Sequence, residues 1–117
     1  MTRGEAAPAP PTPDRETTPS RFLAVWLALL QTAPRWALAG TTPAYRVRLA
    51  RSGGIDALRT KLALRPGAWA ITTEGAAVAP GEEILEVVVR AQGGVTRAFR
   101  VHLAFDHIGW AVDNVRI

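Results

Sequence analysis

The hydrophobic period of this sequence changes near Pro66, and the change constrains the fold more than any other feature. Before Pro66, apolar residues recur at helical spacing, so that IDALRTKLAL places Ile55, Leu58 and Leu62 on one face. After it, apolar and polar residues alternate in four segments, AWAITTE, EILEVVVRA, VTRAFRVHLAF and WAVDNVRI. The pattern predicts an α+β domain in which N-terminal helices pack on a curved antiparallel sheet of about four strands.

The N-terminal region divides into a tail and a strongly apolar helix. Residues 1–19 are rich in Pro and Ala and lack apolar periodicity, which predicts a disordered tail before one domain over residues 20–117. Either Thr18 or Ser20 can cap the helix that follows. This helix is apolar nearly all round, so we expect other elements to enclose it. Its apolar run, residues 22–30, is about half of a bilayer span, so no transmembrane span is predicted.

Export is the alternative interpretation of the same segment. Arg21 precedes the apolar run, and Ala37-Leu38-Ala39 has the shape of a signal-peptide cleavage site. The preceding region, however, is long and Pro-rich, and Arg35 and Trp36 interrupt the approach to that site. The sequence therefore favours a cytoplasmic protein.

The later helices are bounded by proline and glycine. Pro34 ends the first helix, and a short second helix is expected to end at Gly40. A third begins at Thr42-Pro43, and Gly53-Gly54 separates it from a fourth.

Composition excludes several classes of function. The chain has no Cys, and neither His102 nor His107 has a second ligand at metal-binding spacing, so no metal or cofactor is predicted. The net charge is +4. The basic residues are not organised around stacking aromatic residues, which argues against nucleic-acid binding. The cations of the third and fourth helices form either a solvated face or a surface for an anionic partner; they are Arg46, Arg48, Arg51, Arg59, Lys61 and Arg65.

The register of the two C-terminal hairpins can be predicted from the alternation. A three-residue loop at 92–94 places Val87 opposite Phe99 on the buried face. A loop at 106–109 places Phe105 opposite Trp110 and puts His102 opposite Asp113 on the outer face. A His–Asp pair could act as a general base, but on the outer face it is more typical of a cross-strand contact.

The element order and the terminal segment GWAVDNVRI resemble the nuclear transport factor 2-like superfamily. The resemblance covers residues 20–117 and implies a cone or roll of cystatin-like type, shared by ketosteroid isomerases, polyketide cyclases and many small bacterial domains. In that superfamily the helices and sheet enclose a hydrophobic pocket, and the final strands often form a dimer surface.

The resemblance implies a ligand pocket whose members are aromatic, apolar and a few polar residues. The alternative for the aromatic members is core packing. The predicted pocket consists of Trp26, Tyr45, Trp69, Phe99, Val101, Trp110 and Asn114.

Two functions remain open from the sequence. The first is a non-enzymatic domain that binds a hydrophobic small molecule or a protein and forms a homodimer through its sheet. The alternative is a small isomerase or cyclase that acts by proton transfer on a hydrophobic carbonyl compound, with His102, Asp113 and Tyr45 as its candidate catalytic residues. The first is favoured because no carboxylate faces inward on the predicted strands.

Overall fold

The computed structural model describes residues 18–65, 67–76, 81–90, 94, 96–106 and 109–117, with only the backbone described at 73–76. Its first half is helical. The helices are α1 (Pro19–Thr32), α2 (Pro34–Ala37, continued by a 3₁₀ turn at Leu38–Gly40), α3 (Pro43–Arg51) and α4 (Gly54–Leu62).

The second half forms one antiparallel sheet with the strands in sequence order. The strands are β1 (Trp69–Ala76), β2 (Glu82–Arg90), β3 (Thr96–Phe105) and β4 (Trp110–Arg116). The helices pack against the sheet, so the predicted α+β fold class is confirmed.

The predicted start of α1 is confirmed by its cap. Thr18 Oγ1 accepts a hydrogen bond from the Arg21 amide at 3.3 Å. The prediction of a tail over residues 1–19 is therefore wrong at its end, because Thr18 caps α1 and Pro19 begins it. Residues 1–17 lie outside the described residues.

The break between α3 and α4 requires glycine at Gly53. This residue has a φ of +102°, a left-handed conformation that favours glycine. A Cβ atom there would lie 2.7 Å from Cβ of Ala57, which is closer than packed carbon atoms approach.

The predicted register between β2 and β3 is confirmed. Val87 lies opposite Phe99, and both side chains are at most 2% exposed. Of the predicted loop at 92–94, only Gly94 is described. His107, in the second predicted loop, lies outside the described residues.

The final hairpin begins in the predicted register and then departs from it. Phe105 lies opposite Trp110, but an irregularity between Leu103 and His102 leaves Asp113 as an extra residue on β4. A bulge of this kind shifts every later pair by one residue. His102 therefore lies opposite Asn114, and the predicted His102–Asp113 cross-strand pair is wrong.

The bulge also exchanges the predicted positions of Asn114 and Val115. Val115 lies opposite the fully buried Val101 and packs against the core. The inward position predicted for Asn114 as a pocket residue is therefore wrong, and Val115 takes that position. The cause is the single residue inserted at Asp113.

The core lies between α1 and the inner face of the sheet. Phe22, Leu23 and Trp26 are fully buried, and Trp26 Nε1 donates a 2.8 Å hydrogen bond to the Ala37 carbonyl oxygen. This bond satisfies the only polar atom of the indole ring, so α1 is enclosed as expected. Within the described residues, no helix is long and apolar enough to cross a membrane.

Candidate functional site

A groove of about 240 Å³ lies between α3, α4 and the end of β4. Two residues of the predicted ligand pocket, Tyr45 and Asn114, border it. We call it the α3–α4–β4 groove. Its lining is formed by Tyr45, Arg48, Leu49, Ser52, Gly54, Ala57, Leu58, Lys61, Asn114, Val115 and Ile117.

Thr42 and Arg48 fix α3 against β4 and so shape this groove. Thr42 Oγ1 accepts from the Tyr45 amide at 3.2 Å and donates to the Asp113 carboxylate at 2.7 Å. One turn further along α3, Arg48 donates to the Asp113 backbone oxygen at 2.5 Å. Both contacts meet the bulged residue, so the bulge is the point at which α3 is attached to the sheet.

Tyr45 is the most enclosed polar side chain of the groove, with 5% of its surface exposed. Burial raises its pKa to about 12, and the nearby Arg48 opposes this shift. The Arg48 guanidinium lies 5.4 Å from the centroid of the Tyr45 ring. Among the described residues, nothing forms a hydrogen bond with the Tyr45 hydroxyl. The group is therefore a protonated phenol with a free donor near neutral pH.

The charge around the groove is positive. Arg48 and Lys61 line it, and no carboxylate side chain does so among the described residues. The surrounding segment, residues 18–65, carries eight basic residues and one acidic residue, Asp56. The carboxylate of Asp113 is nearby and accepts the hydroxyl of Thr42.

The remaining members of the predicted pocket are dispersed. Trp26, Phe99 and Val101 are at most 2% exposed and belong to the packed core. Trp69 borders a different groove, beside Ala70 and Arg90 on the first strands. The structure thus brings Tyr45 and Asn114 together and leaves the other members apart.

Side-chain contacts explain why two of the tryptophan residues do not line a shared cavity. Trp110 packs edge to face against Phe105, with ring centroids 4.9 Å apart. The Gln31 amide, in the orientation that satisfies both partners, accepts from Trp69 Nε1 at 3.2 Å and donates to the Leu64 carbonyl at 3.1 Å. Both rings therefore serve packing at the ends of the sheet.

The three candidate catalytic residues do not form an acid–base unit. His102 lies opposite Asn114, Asp113 accepts from Thr42, and Tyr45 holds its proton far above neutral pH. Within the part of the chain that the structure describes, no group of three or more His, Asp or Glu side chains could hold a metal ion.

A second basic surface lies where β2 ends and β3 begins. Arg65, Arg90 and Arg97 line a groove of about 450 Å³ there. Arg97 lies opposite the inward-facing Val89, as the register predicts, and its guanidinium donates to the Leu62 carbonyl. Since the last carbonyls of a helix attract cations, Arg97 stabilises the C-terminal end of α4.

No local pattern in the sequence predicts the polar lining of the α3–α4–β4 groove. Arg48 and Lys61 belong to a predicted basic helical surface, but they come from different helices, and Asn114 comes from the last strand. Only the packing of three separate elements brings them to one place.

The fold class rests on the structure alone, and the resemblance to the nuclear transport factor 2-like superfamily remains a prediction. Comparison of the chain with models of protein families, with curated proteins and with solved structures found no match.

Proposed function

We propose that this chain is a non-enzymatic, cytoplasmic binding domain of the nuclear transport factor 2-like type, and that it forms a homodimer through the outer face of its sheet. The observation that carries the proposal is the combination of partly exposed apolar side chains and complementary charges on β2 and β3. A second copy of the chain is the occupant that fits both features.

The apolar part of this face is formed by alternate residues of the two central strands. Val88 lies opposite Ala98, and Ile84 lies on the same face four residues earlier in β2, with Glu86 between them. Ala98 is exposed, while Val88 and Ile84 are half-buried. Their opposite faces carry core residues, so these side chains have only solvent or a partner to contact.

The charged part of the face is self-complementary. Glu86 lies opposite Arg100, which in turn lies opposite Arg116 on β4. Two arginine side chains directly across from each other repel, and one carboxylate beside them does not balance both. In a face-to-face dimer with twofold symmetry, Glu86 of each protomer meets Arg100 of the other, which relieves this repulsion.

The proposed alternative, a small isomerase or cyclase, needs a base within reach of a bound carbonyl compound. The phenol of Tyr45 can donate a hydrogen bond. Its raised pKa, however, keeps it protonated at neutral pH, so the phenolate that would act as the base is scarce. Asp113 is the nearest described carboxylate, and it is engaged by Thr42. These contacts favour the binding domain.

Charge reversal tests the dimer. Light scattering at tens of micromolar protein should give a dimer mass for the natural chain, and Glu86→Arg should give a monomer. The double variant Glu86→Arg/Arg100→Glu should restore the dimer, because the pairs re-form with opposite polarity. Asp56→Arg makes the same charge change on an exposed position of α4 and should leave the dimer intact.

Two results would overturn the proposed dimer. One is a monomer mass for the natural chain under these conditions. The other is a dimer that Asp56→Arg weakens as much as Glu86→Arg does, since this would show a general effect of charge in place of a contact across the sheet.

A further inference from the structure

We infer that the α3–α4–β4 groove is a binding site for a small amphipathic anion, a carboxylate carried on an apolar body. The site lies on the helical side of the sheet and does not depend on the proposed dimer. Three features of the groove support this ligand class, and each comes from a different set of residues.

The first feature is an apolar wall. Leu49 and Leu58, from the two helices, face Val115 across the groove. Leu49 and Leu58 are also part of the core cluster, so their positions are fixed by packing. An apolar ligand body that covers this wall removes hydrocarbon surface from water, which favours binding.

The second feature is a polar group that lacks a partner within the chain. The hydroxyl of Tyr45 forms no hydrogen bond in the described part of the chain. Only 5% of the Tyr45 surface is exposed, and the hydroxyl belongs to the part that reaches solvent. A ligand oxygen in the groove can accept the hydrogen bond that this donor otherwise gives to water, and the fixed position of the ring then orients the ligand.

The third feature is a pair of cationic side chains, Arg48 and Lys61, that line the groove. Arg48 is held in place by the Asp113 backbone oxygen, a neutral acceptor, and Lys61 has no described partner. A carboxylate bound in the groove is attracted by both cations. Hydrogen bonds between charged partners are about twice as strong as those between neutral ones, which selects an anion over a neutral ligand.

The single tyrosine of the chain provides a probe inside the groove. Incorporating 3-fluorotyrosine places one ¹⁹F nucleus at Tyr45, and its resonance can be followed during titration with octanoate near neutral pH. We expect a saturable shift with octanoate and a much weaker response to 1-octanol, which has the same apolar body and no charge.

Variants of exposed cations separate a local contact from the overall charge. Lys61→Gln should weaken octanoate binding about tenfold, since it removes one charged hydrogen-bond donor. Lys61→Arg should retain most of the affinity. Arg51→Gln is the matched control, because Arg51 is exposed on α3 and does not line the groove.

Three outcomes would overturn the inference. The absence of a saturable shift at millimolar octanoate would mean that there is no site. Equal binding of octanoate and 1-octanol would show an apolar surface without anion recognition. Equal losses in Lys61→Gln and Arg51→Gln would show attraction to the basic helices as a whole.

Discussion

Thr42 donates a 2.7 Å hydrogen bond to the carboxylate of Asp113, although 71 residues separate the two in the sequence. The same hydroxyl accepts from the Tyr45 amide and so caps α3. The Thr42 amide also donates to the Val112 carbonyl oxygen at 2.9 Å. The start of α3 is therefore attached to β4 at its bulge by both backbone and side chain.

Because of this attachment, we expect the loss of the α3 cap to lower the stability of the domain more than the loss of an ordinary helix cap. Thr42→Val should destabilise the domain by about 2 kcal/mol, because it removes the cap and a hydrogen bond to a charged acceptor. Thr18→Val removes an exposed cap and should cost about 1 kcal/mol or less. Chemical denaturation gives both values, and equal losses would show that the Asp113 contact adds nothing.

A double-mutant cycle should locate the partner of Asp113. We expect a coupling energy of about 1 kcal/mol between Thr42→Val and Asp113→Ala, since the two side chains are in direct contact. For His102→Ala and Asp113→Ala we expect less than about 0.5 kcal/mol, because Asn114 lies opposite His102. A coupling above about 1 kcal/mol in the second cycle would contradict the bulge and restore the cross-strand pair.

The tryptophan residues should differ strongly in their contribution to stability. Trp26 is fully buried and its indole N–H is bonded, so Trp26→Ala should cost about 3–5 kcal/mol in the free energy of unfolding. Trp36 is 36% exposed, and Trp36→Ala should cost about 1 kcal/mol or less. Urea unfolding checks both, and a small loss for Trp26→Ala would mean that α1 is not enclosed.

The raised pKa of Tyr45 makes stability depend on alkaline pH. Tyrosine loses its proton near pH 10 in the unfolded chain, whereas the folded value is about 12. The folded state therefore holds the proton more tightly, so this contribution is fully present below about pH 10 and is lost as the pH rises toward 12.

Absorbance at a phenolate wavelength tests this directly, because the chain has one tyrosine. The phenolate of Tyr45 should form well above pH 10. If the domain unfolds at a lower pH than this, formation of the phenolate should coincide with unfolding. Tyr45→Phe should remove this part of the alkaline loss of stability. A phenolate transition at the ordinary tyrosine value in the folded protein would show that the ring is open to solvent.

Local sequence patterns are sufficient to predict the helices and strands and the buried face of the central strands. Thr18 and Pro19 mark the start of α1, and Gly53 marks the break between α3 and α4. The alternation that places Val87 opposite Phe99 is also local. Such signals survive in a single sequence because they depend on backbone conformation and on neighbours a few residues away.

Three features could not be predicted from local patterns because they depend on long-range contacts. They are the bulge in β4, the packing of Trp26 in the core and the position of the α3–α4–β4 groove. The bulge lies where Thr42 bonds to Val112 and Asp113, contacts that no pattern within β4 encodes. The indole N–H of Trp26 is bonded to Ala37, so this ring packs in the core and not in the expected pocket. Likewise, Lys61 and Asn114 border one groove only because α3 packs against both α4 and β4, and such long-range contacts place residues that local spacing leaves undetermined.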